Sequence, residues 1–380
     1  MTIALSFNPN AQTAATEARE LLAHAGALFL ATGQWDAPTS QTGPKILRQD
    51  QAGGPWVIDF TFPMKEMVCN CLGELNFPSK GFSTLATGFW AGPSQVAIRQ
   101  GPNNWIMVPL GTPGGGTQVR SFTSYQQRDG TEVVFAGSDQ GVFAGHYDTA
   151  APGSIKWDKT PELVPTGYMG LHRVMGFAEV AHTLYCSIGE QVFQRNNQKK
   201  TWTMHWQNPN PGATSNALGA LRGMTAITAP ANGTKLPRGL VAGATTLWMA
   251  NCSSNNAYIV SLDPATWTAT ELFSVKKGIT AYNNFCVAPM PDHSLCVIAG
   301  QHGAATACIV KLQDGVFTAW IVLPQTSAQA QLACRTIALS PFDKTSLYAG
   351  GYDCGTSGVT KNLTAWVDVG LISDFLALHH

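Results

Sequence analysis

Charge is scarce in this chain. Only 12% of its 380 residues are Asp, Glu, Lys or Arg, and 23 basic side chains face 23 acidic ones, so the formal net charge is zero. A nucleic-acid binder carries a basic excess that meets the phosphate backbone. None exists here, and nucleic acid is not an expected partner. Long apolar runs are missing too. The best candidate, residues 25–31, falls far short of the ~20 residues that cross a bilayer. It also follows Glu17, Arg19, Glu20 and His24, so no membrane partner is expected. A 44% hydrophobic content with so few charges excludes a disordered chain.

Other signatures are equally absent. The nine cysteines are an odd number and contain no CxxC; Cys69-Asn-Cys71 is CxC. Zinc ligation is therefore not indicated. Buried free thiols on strands are the expectation. One or two bridges are the alternative, with Cys286, Cys296 and Cys308 close together in one repeat. No G-x-S-x-G, H-x-x-x-H or H-E-x-x-H occurs, and Gly114-Gly115-Gly116 lacks the Lys of a phosphate loop. The expectation is a protein with no metal and no cofactor. The opening MTIALSFNPNAQ lacks a basic stretch followed by an apolar one. The sequence as it stands reads as cytoplasmic. Sequons at Asn232, Asn251 and Asn362 keep the secretory pathway as the alternative.

What is present is a repeat. Seven of the eleven Trp share one context: Trp56, Trp105, Trp157, Trp202, Trp267, Trp320 and Trp366, spaced 45 to 65 residues apart. Upstream of each lies an apolar run ending in Gly: LFLATG (Gly33), STLATG (Gly88), VVFAG (Gly137), LYCSIG (Gly189), GLVAG (Gly243), CVIAG (Gly300) and LYAGG (Gly351). The fourth copy parses as four short strands, at 172–180, 183–187, 191–195 and 201–206, separated by turn residues. Four-stranded units repeated every ~45–50 residues predict a β-propeller. The expectation is all-β, one domain over 1–380, with seven blades at roughly 17–62, 66–110, 119–164, 171–208, 220–275, 280–324 and 333–371. Residues 13–25 are the only helix-like stretch and otherwise form the first strand. Residues 3–7 are expected to join either the last blade or the first. The seven Trp are expected to pack between blades.

The unit TLYCSIGEQVFQRNNQKKTWTMHW (183–206) resembles the BNR, or Asp-box, repeat of sialidase-like and sortilin-like propellers. LYAGGYDCGTSGVTKNLTAW (347–366) and VVFAGSDQGVFAG (133–145) match its strand portion. In the box itself only Thr201-Trp202 survives, with Asn197 where the repeat has Asp. The resemblance implies the fold and carries no sialidase or xyloglucanase activity with it.

A propeller ligand is expected on the axis, between the loops that lead into the innermost strands and the loops between second and third strands. The first set places Arg120, Arg173, Arg222 and Arg335 at one position of four blades, with Tyr282 in a fifth and His172 beside Arg173. Planar guanidinium forks suit a carboxylate, an enolate or a carbonyl. The alternative is that each Arg bonds carbonyls or an acid of its neighbouring blade. The second set is Trp35, Asp36, Phe89, Trp90, Asp139, Glu190, Gln191, Trp248, Gln301, His302, Tyr352 and Asp353. Aromatics with sparse polar groups are how small-molecule sites are lined.

Arg120, Arg173, Arg222, Arg335, His302 and His172 are the catalytic candidates, and the remainder are substrate contacts. The leading expectation is a single-site enzyme on a small organic ligand, a lyase, isomerase or cyclase that works by positioning and hydrogen-bond activation. The class includes pericyclic, Diels–Alder-like cyclases of natural-product pathways. A glycan-directed propeller, hydrolase or lectin, is the first alternative, and a protein-binding scaffold the second. The post-Gly loops differ from blade to blade, which favours one asymmetric site over a ring of equal pockets.

Overall fold

The computed structural model describes residues 5–6, 15–33, 43–62, 69–89, 92–93, 95–111, 116–164, 173–209, 220–229, 240–251, 258–274, 282–289, 295–301, 308–313, 316–322, 332–343, 345–353 and 364–371. Among the described residues its paired strands run antiparallel and gather into four-stranded sheets, the blades of an all-β β-propeller.

Six blades consist of four consecutive main strands. The first is Glu17–His24, Ala27–Gly33, Lys45–Gln49 and Val57–Thr61. The second is Cys69–Phe77, Phe82–Phe89, Gln95–Gly101 and Asn104–Pro109. The third is Ser121–Gln126, Glu132–Gly137, Val142–Tyr147 and Ile155–Trp157. The fourth is Val174–Val180, Thr183–Ile188, Gln191–Asn196 and Thr201–Gln207. The fifth is Leu221–Thr228, Thr245–Asn251, Tyr258–Leu262 and Ala269–Ser274. The sixth is Tyr282–Pro289, Leu295–Gln301, Cys308–Gln313 and Val316–Val322. Gly92–Pro93 and Gly116–Thr117 form a small separate ladder.

The expectation of seven such blades is corrected to six. Among the described residues the last repeat supplies three strands, Leu332–Leu339, Ser346–Asp353 and Thr364–Leu371. Trp366, expected on an outermost strand, lies on the third one, opposite Gly351. The outer edge of that sheet is taken by two residues from the start of the chain, with Leu5 opposite Val367 and Ser6 opposite Trp366. The physical reason is that the described residues of the repeat leave that edge uncovered, and an open edge seeks a partner. Within the stretch 13–25, Glu17–His24 is a strand and not a helix.

By contact density the chain divides into two compact units. One holds 1–72, 276–313 and 317–380; the other holds 73–275 and 314–316. In the first unit, Ala18, Leu21, Leu28, Leu30 and Leu47 of the first blade pack against Tyr348, Ala365 and Val367 of the closing sheet. In the second, Tyr125, Val133 and Phe135 of the third blade pack on Val174, Phe177, Leu184 and Cys186 of the fourth. Trp202 joins that core from the outer strand, 6.2 Å from Phe135 and nearly perpendicular to it, and its Nε1 donates to Glu162 Oε2. Cys69, Cys71, Cys186 and Cys334 are buried free thiols. The backbone register puts Cys286 opposite Ile298, Cys296 opposite Ala288 and Cys308 opposite Ala299, so none of the three faces another.

Two-residue turns join first and second strands in the first and fourth blades. Ala25-Gly26 and Ala181-His182 all have positive φ, the geometry of the type I′ hairpin. Ala and His pay a steric cost there that Gly does not. The third blade offsets it at the second turn: Tyr125 Oη donates to the His182 carbonyl at 2.6 Å, and Arg128 donates to the Ala181 carbonyl at 3.3 Å.

The repeated glycine has a packing cause. A Cβ at Gly88 would lie 2.3 Å from Cβ of Val119, and one at Gly137 would lie 2.5 Å from Val174 Cγ1 and from Ser121 Oγ. Each of these glycines lets the next inner strand approach the second strand of its blade. Gly137→Ala is expected to lower the unfolding free energy by ~1–3 kcal/mol through overpacking. Urea denaturation with an unchanged m-value checks this, and an unchanged midpoint would mean the approach is not that close.

Candidate functional site

The strongest polar cluster among the described residues sits where the first blade meets the closing sheet, inside one unit. It begins with two matching irregularities. In the first blade Ala18 faces Thr32 and Glu20 faces Ala31, so Arg19 is an extra residue. In the closing sheet Cys334 faces Gly351 and Thr336 faces Gly350, so Arg335 is the extra residue. A bulge takes its residue out of the strict alternation of faces and re-aims the side chain. The two strands are fastened to each other by Leu21 N–H donating to Thr336 Oγ1 at 2.8 Å.

Glu17 receives both arginines. Arg19 Nη1 donates to Glu17 Oε2 at 2.8 Å, and Arg335 Nη1 donates to Glu17 Oε1. The side chains of Arg19, Glu17 and Arg335 are 4%, 1% and 12% exposed. Taking these charges out of water costs several kcal/mol per ion, which only close, well-directed pairing repays. Arg335 also stands over the Tyr352 ring, 5.8 Å from its centre, and Trp366 Nε1 donates to the Tyr352 carbonyl at 3.1 Å.

Glu20, next along the strand, points its chemistry at the second blade's first strand. Its Oε2 accepts Leu72 N–H at 2.8 Å. Burial raises its pKa from 4.5 to about 7, against the lowering effects of the Leu72 hydrogen bond and of the Arg19 charge. The group therefore exchanges a proton near neutrality. With Glu20 protonated, Arg19, Glu17, Arg335 and Glu20 together carry one positive charge; with it ionised they carry none. At the same end of the first blade, Lys45 is buried and burial holds its amine below the usual range. Thr32 Oγ1 clamps the Lys45 backbone by donating to its carbonyl and accepting from its N–H.

The residues singled out from sequence are placed as follows. Arg335 and Tyr352 are brought together in this cluster. In the other unit, Arg120 Nη2 donates to Gln118 Oε1 at 2.9 Å, and Gln118 N–H donates to Asp139 Oδ1 at 2.7 Å, so Arg120 and Asp139 share one neighbour. Arg173 is half-buried, and its carbonyl accepts Gly189 N–H at 3.4 Å. Arg222 is buried in the fifth blade's first strand, opposite Ala250. Glu190 is fully buried and accepts Asn208 Nδ2–H at 2.7 Å. Gln191 contacts Gln207 at 3.3 Å.

Phe89, Trp248 and Tyr352 are buried, so these rings present no open face. Trp248 is mid-strand because GLVAG forms the turn before its strand, with Gly243 at φ +74°, and does not end that strand. Its Nε1 donates to Thr246 Oγ1 at 2.8 Å. Tyr282 and Gln301 pair through their backbones, and Asp353 pairs with Leu332 and Thr364; their side chains lie outside what is described. Trp35, Asp36, Trp90, His172 and His302 lie outside the described residues.

Sequence reasoning missed Glu17, Arg19 and Glu20. The signal was a Glu-Ala-Arg-Glu run opening an otherwise apolar strand, where an innermost strand has no ordinary use for three charges. Among the described residues no three His, Cys, Asp or Glu gather as a metal site.

No family model and no curated protein matches the chain. Solved structures do. The extracellular domain of the hybrid two-component system BT4673 from B. thetaiotaomicron aligns with 93% of this chain and 38% of its own, at 8% identity and TM-score 0.53. A chain of the outer coat vertex of COPII on membranes aligns over 94% of this chain and 84% of its own, at 13% identity and TM-score 0.56. A chain of the COPII coat assembled on membranes aligns over 94% and 47%, at the same identity and score. The chain spans less than half of two of these three. At such identities the likeness concerns the fold alone.

Two predictions follow from the charges. Glu17→Gln is expected to destabilise the protein by ~3–5 kcal/mol, because two buried guanidiniums lose the carboxylate they share; denaturant unfolding measures it. Glu20 has a raised folded pKa, so its stabilising effect is complete below its unfolded value near 4.5 and is lost as pH rises through about 7. Glu20→Gln is expected to remove that loss, gaining on the order of 2–3 kcal/mol over wild type at pH 8 and little at pH 4. Parallel pH profiles for both proteins would contradict the raised pKa.

Proposed function

We propose that the chain handles a small organic anion at the Arg19–Glu17–Arg335 cluster and that Glu20 moves a proton there. The single observation that carries this reading is a buried carboxylate held by guanidiniums from two different sheets, beside a carboxyl poised near pH 7. Guanidinium forks are matched to carboxylate and enolate oxygens. A carboxyl with a pKa near working pH is suited to general acid–base work.

The reaction class is proton transfer next to a carbonyl or carboxylate, as in cofactor-independent isomerases, lyases and cyclases. The ionised Glu20 carboxylate takes a proton from carbon. The electron pair left behind moves onto the substrate oxygen, and the arginines stabilise the developing negative charge. Glu20 exchanges the proton it has taken with solvent and delivers one back to carbon in product. The ligand is a small molecule, and the roles of Arg120, Arg173, Arg222, His172 and His302 stay secondary in this reading. We also infer descent of the repeat from a degenerate BNR or Asp-box unit. The support is the turn between third and fourth strands of the fourth blade, where Asn197 stands at the spacing of the box Asp before Thr201-Trp202 and Trp202 packs into the blade core.

The test combines binding with chemistry. A panel of small carboxylic and 2-oxo acids is screened for thermal stabilisation; an anion at 100 times its Kd is expected to add about 2.7 kcal/mol. Binders are then incubated with the protein in D2O, and exchange at the carbon next to the carboxylate or carbonyl is followed by proton NMR. Wild type is expected to catalyse exchange, and Glu20→Gln to bind but exchange at least ~100-fold more slowly. Absence of any stabilising anion, or equal exchange by the variant, would overturn the assignment.

A further inference from the structure

The outer strand of the fourth blade, Thr201–Gln207, is chemically unlike the other outer strands whose side chains are described. It ends its sheet and pairs only with Gln191–Asn196. Its sequence, TWTMHWQ, contains no Asp, Glu, Lys, Arg or Pro over seven residues. Sheet edges are usually blunted by charge, proline or shortness, because an open row of N–H and C=O groups recruits another strand. Four other edges follow that pattern, while Val316–Val322 of the sixth blade, VFTAWIV, also lacks charge and proline. Val57–Thr61 carries Asp59, Asn104–Pro109 ends in proline, Ile155–Trp157 has three residues with Lys156 at its centre, and Ala269–Ser274 carries Glu271.

The strand is rigid and open at once. Trp202 and Trp206 are half-buried and packed into the clusters on either side of the blade. Between them Met204 is 45% exposed, and Thr201, Thr203, His205 and Gln207 are exposed too. His205 is the extra residue where Trp206 faces Val192 and Met204 faces Phe193. Its ring stacks on Trp267 at 4.4 Å and 9°, so it is held by the blade's own side of the molecule.

We propose that this strand pairs antiparallel with the same strand of a second copy of the chain, giving a symmetric dimer. The argument is self-complementarity. A two-fold axis through Met204 sets Thr201 opposite Gln207, Trp202 opposite Trp206 and Thr203 opposite His205, with Met204 facing its own counterpart. Trp202 and Trp206 stay in the cores on opposite faces of the blade, so at this register the backbones, Met204 and the polar side chains make the contact. Lys199 and Lys200, just outside the strand, fall opposite Pro209 and Asn208, so no like charges meet. A charged partner peptide would find no countercharge within these seven residues. A two-fold contact of this kind closes on itself and does not propagate.

Sedimentation velocity over a concentration series tests the proposal. Wild type is expected to pass from monomer to dimer in the ~1–100 μM range, in keeping with a small interface. Met204→Lys, which sets two lysines face to face, is expected to weaken self-association at least about fivefold. Its melting temperature at low concentration should stay that of wild type, because Met204 is exposed. An equimolar mixture of M204K and M204E is expected to dimerise at least as tightly as wild type. A wild-type chain that stays monomeric, an M204K variant that dimerises unchanged, or a charge-swapped mixture that fails to associate would each overturn the assignment.

Discussion

The inner strand of one blade comes within backbone reach of its neighbour where the neighbour withdraws a side chain. Gly88 and Gly137 mark that withdrawal: the inner strand or its lead-in from the next blade runs through the space a Cβ would fill. The close approach is more than packing. It sets first strand beside first strand, as when Leu21 N–H reaches Thr336 Oγ1 and when Ser121 Oγ reaches the Val174 carbonyl. Backbone groups at the start of a strand then find partners in the neighbouring blade, and side chains from two sheets converge over a few ångströms. The Arg19–Glu17–Arg335 cluster is one outcome of that geometry. Arg335 reaches Glu17 across the seam between the sheets, whereas Arg19 reaches it from two residues along the same strand.

The electrostatics of the cluster follow from its depth. In water a carboxylate between two guanidiniums would be one of many transient ion pairs. Here all three side chains are withdrawn from solvent, so each depends on the others to offset desolvation. Glu20 meets the same low-dielectric surroundings with less help, one backbone N–H and a nearby guanidinium, and responds by holding its proton to about pH 7. Two glutamates three residues apart thus acquire different chemistry. One is a fixed counter-ion, and the other is a group that changes charge under mild conditions.

Much of the architecture was legible in the sequence. The fourth blade's strands were located to within a residue or two, because β-branched and aromatic runs alternate there with Gly-Glu and Asn-Asn turns. The closing sheet was half legible: residues 3–7 were expected to join either the last blade or the first, and Leu5–Ser6 joins the last, but the motif Thr-Ala-Trp366 looks like Thr-Ala-Trp320 and yet occupies a third strand. GLVAG misled for a related reason. It has the composition of a strand ending in glycine but forms the turn before one, so Trp248 moved from loop to core. The site was half legible. Arg335 and Tyr352 were marked by the repeat, whereas Glu17, Arg19 and Glu20 were hidden in a stretch whose composition suits a helix. A single sequence does not reveal a bulge, and the bulges are what turn Arg19 and Arg335 toward a shared acid.

The most direct measurement is a crystal structure of the protein soaked with a small dicarboxylate such as malonate, determined near pH 6 where Glu20 is largely protonated. The account predicts the anion at the first blade and closing sheet, with a carboxylate within hydrogen-bond distance of the Arg19 or Arg335 guanidinium. An anion found only on exposed lysines, with the Glu17 pairs undisturbed and no ligand density beside them, would contradict it.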